Sequence, residues 1–272
     1  MPELPEVETV AAALRQHLPE KRITAVVARC ERLRRPIPIT ALQNEVNSLI
    51  HKVRRRAKYL LIDLSSGRTL VIHLGMSGTL RLVPENERPE RHDHIDIKLD
   101  DGSTLRYRDP RRFGLVILAT PGADGRITEL GNLAPEPLSE EFNPDYLFQL
   151  SRKRTTPIKT FIMDQRRVVG VGNIYASESL FRARIRPTYK TGNLSRKQCR
   201  LLVQIIKQVL KEAIAVGGTT ISDFHGVDGS EGTFVLSLQV YGRTGEPCTE
   251  CGTTIKKITL GGRSTFYCPK CQ

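Results

Sequence analysis

Apolar and polar positions change rhythm twice along this chain. Residues 5–17 carry apolar and small side chains at helical spacing. Pro5 suits a first turn, Glu6 and Glu8 sit at the positive end of the helix dipole, and good helix formers follow from Ala11 to Leu14, so a helix is expected there. From about Ile23 to Ala119 the period shortens. Brief apolar runs at Ile23–Ala28, Tyr59–Leu64, Thr69–Leu74, Ile95–Leu99 and Leu115–Ala119 are separated by turn signals such as Ser65-Ser66-Gly67 and Asp100-Asp101-Gly102. This pattern predicts an antiparallel sheet or sandwich. The stretch Gly131-Asn132-Leu133-Ala134-Pro135-Glu136-Pro137 is stiff and polar, as a linker between domains is. Helical spacing returns at 144–151, 157–165, 173–182 and 195–216, the last with Leu201, Leu202, Ile205, Ile206 and Val209 on one expected core face. Gly170-Val171-Gly172-Asn173 falls between two of these helices. Its glycines permit close backbone approach, but the third glycine of a dinucleotide fingerprint is missing and the flanking elements are wrong for one.

Composition narrows the partners. The chain has 272 residues, 39% hydrophobic and 26% charged, enough for a sizeable core and for two domains rather than one. Apolar runs such as Tyr59 to Ile62 are far too short to span a bilayer, and acidic Glu3, Glu6 and Glu8 stand where a signal peptide needs a basic flank. A cytoplasmic protein is expected. Lysine and arginine number 42 against 29 acidic residues, a formal charge of +13, so polyanions are the natural partners. The basic residues cluster in Arg54-Arg55-Arg56-Ala57-Lys58, Arg106 to Arg112, Arg152-Lys153-Arg154 and Lys256-Lys257. On one face, such clusters would line a phosphate-binding groove.

Four of the six cysteines close the chain as Cys248-x2-Cys251 and Cys268-x2-Cys271, with 16 residues between the pairs. That spacing points to one structural Zn²⁺ held by four thiolates, which would fold a hairpin too small to hold itself together. Cys30 and Cys199 lack such partners and are expected in the core. Arg263, between Gly262 and Ser264, reads as a hairpin-tip residue able to clamp a phosphate or simply to stand in water. His92-Asp93-His94 allows a metal or relay site, with a hydrogen-bonded strand start as the plainer reading.

Six motifs in order resemble one family. They are Pro2-Glu3-Leu4-Pro5-Glu6-Val7-Glu8-Thr9, Arg56-Ala57-Lys58-Tyr59, His73-Leu74-Gly75-Met76-Ser77-Gly78, Asp109-Pro110-Arg111-Arg112-Phe113-Gly114, Val169-Gly170-Val171-Gly172-Asn173-Ile174-Tyr175, and the four-cysteine finger. The family is formamidopyrimidine-DNA glycosylase, and the resemblance extends over essentially the whole chain. It implies an α+β fold: an N-terminal β-sandwich flanked by helices over 1–134, a helix-two-turn-helix domain over 135–234 and a C-terminal β-hairpin zinc finger over 235–272. It also implies a bacterial, nucleoid-associated monomer that acts on double-stranded DNA containing oxidised bases or abasic sites.

The resemblance makes Pro2 the nucleophile once Met1 is removed. Its secondary amine, with an ordinary pKa of about 7.7–8.0, attacks C1′, displaces the base and leaves an iminium that permits β,δ-elimination of the strand. Glu3 is the matching acid/base, and Glu6 orients it from the helix start. Lys58, His73, Asn173 and Arg263 should hold phosphates around the lesion, Lys58 and Arg263 also serving catalysis; all four are hydrogen-bond donors. Met76, Arg111 and Phe113 match the residues that fill the gap left by the extruded nucleotide, although the residues alone would place Met76 and Phe113 in the core. Gly217 to Phe234 resembles the loop that closes over the extruded base. Two rivals remain at this point. The sister glycosylase for oxidised pyrimidines typically has glycine where this chain has Leu4, and a non-catalytic binder of damaged DNA would have no need of Pro2 and Glu3.

Overall fold

The computed structural model describes residues 2–218 and 238–272. These fall into two compact units, residues 2–131 with 217–218, and residues 132–216 with 238–272. The first opens with α1 (Leu4–His17), whose buried face is Leu4, Val7, Val10, Ala11 and Leu14. Strands β1 (Ile23–Ala28), β2 (Ile50–Arg56), β3 (Tyr59–Leu64), β4 (Thr69–His73), β5 (Thr79–Pro84), β6 (Asp93–Leu99), β7 (Ser103–Arg108) and β8 (Leu115–Ala119) follow, with a short α2 (Ile39–Gln43) after β1. They form two antiparallel sheets, ordered β1-β6-β7-β5 and β2-β3-β4-β8.

One apolar cluster joins both sheets and α1. Leu60, Ile62, Ile72 and Val116 come from one sheet, Ile95, Ile97, Leu105 and Tyr107 from the other, and Val7, Val10 and Leu14 from the helix. The opposite face of β3, β4 and β8 is buried too, by Leu61, Val71 and Ala119 against Ile127. Burial on both faces explains why β3 and β4 read as continuous apolar runs without alternation. The expected sandwich is present, and three of its strands were hidden in the sequence by arginines. In β2 and β7 the apolar positions are few, and Arg54, Arg81 and Arg106 interrupt the apolar positions of β2, β5 and β7.

Those arginines are engaged within the fold. Arg106 is 2% exposed; its Nε and Nη2 meet the two oxygens of Asp96 at 2.9 and 3.0 Å, and its Nη2 also donates to the Glu87 carbonyl. Arg54 grips Asp63 with two hydrogen bonds of 2.6 and 2.7 Å, Arg55 bonds Glu8, and Arg108 bonds Glu90. The runs 54–58 and 106–112, which suggest phosphate ligands in sequence, therefore supply ion pairs at several positions.

In the second unit, α3 (Pro144–Ser151), α4 (Ile158–Ile162), α5 (Asn173–Arg182) and α6 (Arg196–Ala215) precede a hairpin of β9 (Lys256–Leu260) and β10 (Arg263–Tyr267). Helix α5 is buried on every side from Ile174 to Phe181. Helix α6 is amphipathic and starts at a reciprocal cap between Ser195 and Gln198. Its core face is Cys199, Leu202, Val203, Ile206, Val209, Leu210 and Ala213, whereas Leu201, expected inside, is 40% exposed. The helix expected over 157–165 stops at Ile162, because the Asp164 side chain accepts from the Arg166 N–H and offers the backbone a turn instead. Phe181 of α5 joins Val240, Ile255 and Phe266 in the small core of the hairpin segment. Cys199 is buried as expected; Cys30 is half-buried at the edge of the sandwich core. Among the described residues, no helix is long and apolar enough to cross a membrane.

Asp96 yields a test of the sandwich. Burial works to raise its pKa, but hydrogen bonds from Arg106 and Arg29 prevail and hold it below the usual carboxylate range. Its stabilising contribution is complete above the unfolded value of about 3.9 and is lost as pH falls through the folded value. Replacing Arg106 with alanine leaves the buried Asp96 carboxylate with Arg29 alone and should cost about 3–5 kcal/mol in urea unfolding near pH 7. A loss under about 1 kcal/mol would mean that the pair is solvated in the folded protein.

Candidate active site and metal centre

The start of α1 gathers the expected acid residues. Glu3 is the N-cap: its side chain accepts from the Glu6 N–H, and the Glu6 carboxylate accepts from the Glu3 N–H at 2.8 Å. Both side chains are buried, at 1% and 2% exposure, beside half-buried Pro2. Two orphan amides of the first turn are thereby satisfied, and negative charge lies at the positive end of the dipole. Gly218, at φ +92°, packs on Glu6 so closely that a Cβ would stand 2.9 Å from Oε1. The expected loop continues from there to Phe234, outside the described residues.

Lys58 occupies the turn between β2 and β3, which Ala57 completes at φ 53°. It is 5% exposed and so is not a solvated surface lysine. Its neighbour Tyr59 pairs in register with His73 at the end of β4, and the two rings meet edge-on at 4.9 Å. The His73 Nδ1 accepts from the Gly75 N–H at 2.9 Å, which leaves Nε2 as the protonated donor. Burial, then the charges of Arg34 and Lys58, lower its pKa to about 4. The imidazole is thus a neutral donor at physiological pH, and as pH falls from about 6.5 toward that value its protonation works against folding.

Met76 is half-buried and Phe113 is 47% exposed, which overturns the core reading for both. The Arg111 guanidinium lies 4.8 Å from the Phe113 ring centroid, so the two side chains share one exposed tip. His94 Nε2 is 2.9 Å from the Asp109 carbonyl, as in the plainer reading of that segment. Among the described residues, metal-ligand geometry is confined to the four cysteines.

In the second unit, Asn173 starts α5 and its Nδ2 donates to the Ser264 carbonyl at 3.0 Å, next to exposed Arg263. A buried lysine that sequence reading missed reinforces this link. Lys159, 1% exposed, donates to Asn173 Oδ1 at 2.7 Å, the Ser264 carbonyl at 3.1 Å and Thr265 Oγ1 at 2.9 Å. Glu178, also missed and 1% exposed, accepts from the N–H groups of Gln239, Val240 and Tyr241 at 2.9, 3.0 and 2.9 Å. The signal in each case is a charge set in a run of apolar or small residues within a helix.

The sulfurs of Cys248, Cys251, Cys268 and Cys271 all lie within 4.8 Å of one another, with 4.0 Å between Cys248 and Cys271 and 3.5 Å between Cys251 and Cys268. Tetrahedral Zn–S bonds of about 2.3 Å require sulfurs about 3.8 Å apart, so the set fits zinc. Burial and the three neighbouring sulfurs push the Cys271 thiol up, and a divalent cation relieves that repulsion.

Family models match nearly the whole chain: formamidopyrimidine-DNA glycosylase N-terminal domain at 1–116, its H2TH domain at 133–225, and the zinc finger found in FPG and IleRS at 245–272. The chain belongs to the formamidopyrimidine-DNA glycosylase family. Formamidopyrimidine-DNA glycosylase of Geobacter sulfurreducens is 50% identical over 274 residues, and that of Thioalkalivibrio sulfidiphilus 51% over 272, each covering 100% of both chains. Among solved structures, Lactococcus lactis Fpg in complex with abasic-site DNA aligns with a TM-score of 0.90 at 35% identity, covering 100% of this chain and 99% of that one. MutM (Fpg) from Thermus thermophilus aligns at 0.88 with 39% identity, covering 100% and 98%.

This glycosylase therefore carries one structural zinc on its C-terminal hairpin. Elemental analysis should give one zinc per chain. Exchanging Cys268 for serine should remove the metal and the amide protection of β9 and β10, while the sandwich unfolds at its usual denaturant concentration; active protein without zinc would refute the assignment.

Proposed function

We propose that this chain excises oxidised purines, 8-oxoguanine and formamidopyrimidines, from double-stranded DNA and then cleaves the strand by β,δ-elimination, with Pro2 as nucleophile. The observation that carries the reading is a half-buried Pro2 directly before two buried, mutually capped carboxylates. The neutral Pro2 amine forms a bond to C1′ as the bond to the base breaks, the amine proton passes to the departing base, and Glu3 protonates the sugar ring oxygen so that the ring opens to an iminium. Loss of the C2′ proton then expels the 3′ phosphate, and a second elimination expels the 5′ phosphate. Glu6 holds Glu3 in place through the cap.

Lys58, His73, Asn173 and Arg263 bind phosphates in this scheme. Met76, Arg111 and Phe113 fill the space left by the extruded nucleotide, Arg111 meeting the orphaned cytosine edge. Exposed Phe113 and the half-buried Met76 favour that role over core packing. The chain acts as a monomer in the bacterial cytoplasm, at the nucleoid, with functional divisions at 1–134, 135–234 and 235–272.

Borohydride should trap a covalent complex with duplex DNA carrying 8-oxoguanine opposite cytosine, and peptide mapping should place the adduct on Pro2. An adduct on Lys58, or trapping by protein that retains Met1, would sink the assignment. Exchanging Glu3 for glutamine should slow base release by about 10²–10⁴-fold while lesion binding persists. Salt separates the contact types: with roughly five charge contacts from lysine and arginine to phosphate, log K should fall against log salt with a slope of about −4 to −5. Lys58→Ala or Arg263→Ala should flatten the slope by about one unit, with plain and lesion DNA weakened alike. An unchanged slope in both variants would remove these residues from the phosphate contacts.

A further inference from the structure

The loops bearing Met76 and the Arg111–Phe113 tip converge on one buried carboxylate. Asp109 is 0% exposed. Its Oδ1 accepts from Ser77 Oγ at 2.7 Å; its Oδ2 accepts from the Gly114 N–H at 2.7 Å and the Tyr107 hydroxyl at 3.2 Å. The same Ser77 oxygen accepts from the Arg111 N–H at 3.2 Å, and the Asp109 carbonyl accepts from the Arg112 N–H at 3.1 Å. His94 reaches that carbonyl from β6. Chain beside each of the three gap-filling side chains is therefore tied to Asp109, directly or through Ser77: Ser77 after Met76, the Arg111 amide through Ser77, the Arg112 amide, and Gly114 after Phe113.

Glycines bring the loops to this distance. A Cβ on Gly114 would fall 1.7 Å from the Tyr107 hydroxyl and 2.9 Å from Asp109 Oδ2. One on Gly75, at φ +67°, would lie 2.5 Å from the Phe113 carbonyl carbon and the Gly114 nitrogen. One on Gly78 would lie 2.3 Å from the Leu74 carbonyl oxygen. Backbone packs on backbone here, with the carboxylate at the junction.

We propose that Asp109 is a positioning residue for opposite-base reading, holding the Met76 turn and the Arg111–Phe113 tip as one rigid wedge. The inference rests on the gap-filling reading of those three residues. An arginine discriminates between base edges only while its fork arrives from a fixed place, within about 0.5 Å. Asparagine at 109 keeps the volume but has one acceptor oxygen for two loops. Its oxygen can take the Gly114 amide, but its NH2 then faces Ser77 Oγ, which can meet it only by giving up its own donor role, so the charge-assisted link to the Met76 turn is lost.

The experiment uses the full-length zinc protein and compares single-turnover excision of 8-oxoguanine opposite each of the four bases with cleavage of a preformed abasic site. Asp109→Asn should lower the preference among opposite bases by about tenfold, toward the value of Arg111→Ala, and change abasic-site cleavage by less than about threefold. A role confined to folding would lower both rates together and leave the preference intact, and that result overturns the proposal. Ser77→Ala severs the Asp109 Oδ1 and Arg111 links at a half-buried position, so it decides the matter if the Asp109 variant does not fold. It should show a smaller loss of preference in the same direction, and wild-type preference in it would also overturn the proposal. If Arg111→Ala itself keeps the wild-type preference, the gap-filling reading has failed. If Arg111→Ala loses it while folded Asp109→Asn does not, only the role of Asp109 has.

Discussion

Charge taken out of water and held by fixed partners is the constraint on which this structure depends. Glu3 and Glu6 at the first turn of α1, Arg106 and Asp96 between strands, Asp109 at the loop junction, and Lys159 and Glu178 around α5 are all nearly or fully buried. A buried charge without partners costs several kcal/mol, so each of these groups strongly favours the arrangement that completes its hydrogen bonds. That requirement converts a mutable surface into a defined one. Glu178 can receive the amides of Gln239, Val240 and Tyr241 only if the chain passes its carboxylate in one conformation. Lys159 can meet Asn173, Ser264 and Thr265 together only if β10 lies against α5.

The same constraint decides what could be read from the sequence. The β-sandwich, four helices of the second unit and the zinc hairpin were legible, because apolar periodicity and cysteine spacing are local signals. Strands β2, β5 and β7 were not. Their arginines are polar by type, and burial becomes tolerable only through partners such as Asp63 and Asp96, which come from neighbouring strands. Leu201 failed in the opposite sense, since helical spacing names a face but not how far the neighbouring elements extend over it. At the site, Pro2, Glu3 and Lys58 stood out through resemblance to a family. Lys159, Glu178 and the hub at Asp109 act through contacts tens of residues away in sequence or through loop closure, which no spacing rule encodes.

Net charge also has a different meaning once the partners are known. The formal +13 suggests a uniformly attractive body for a polyanion, yet Arg54, Arg55, Arg106 and Arg108 are closed into ion pairs with Asp63, Glu8, Asp96 and Glu90. Pairing cancels their field within a few ångströms and removes donors that could otherwise meet phosphate at random places. The exposed cations at Arg111, Arg112, Lys256, Lys257 and Arg263 keep their full reach. The basic runs of β2 and β7 therefore contribute less to the attraction of a polyanion than their number in the sequence suggests.

Rigidity and exposure are reconciled at the Arg111–Phe113 tip by placing them on different atoms. Phe113 and Arg111 project into solvent, where an apolar ring and a guanidinium stacked on it gain little from the fold itself. Left alone, such a tip would fray, as exposed loops do. Its backbone is instead locked at both ends, by the Ser77 oxygen on the Arg111 N–H and by Asp109 on the Gly114 N–H, inside a junction that three glycines make tight. The cost of ordering the loop is met when the protein folds. Contact with a partner then has to order only the side chains, so less conformational entropy is lost on binding.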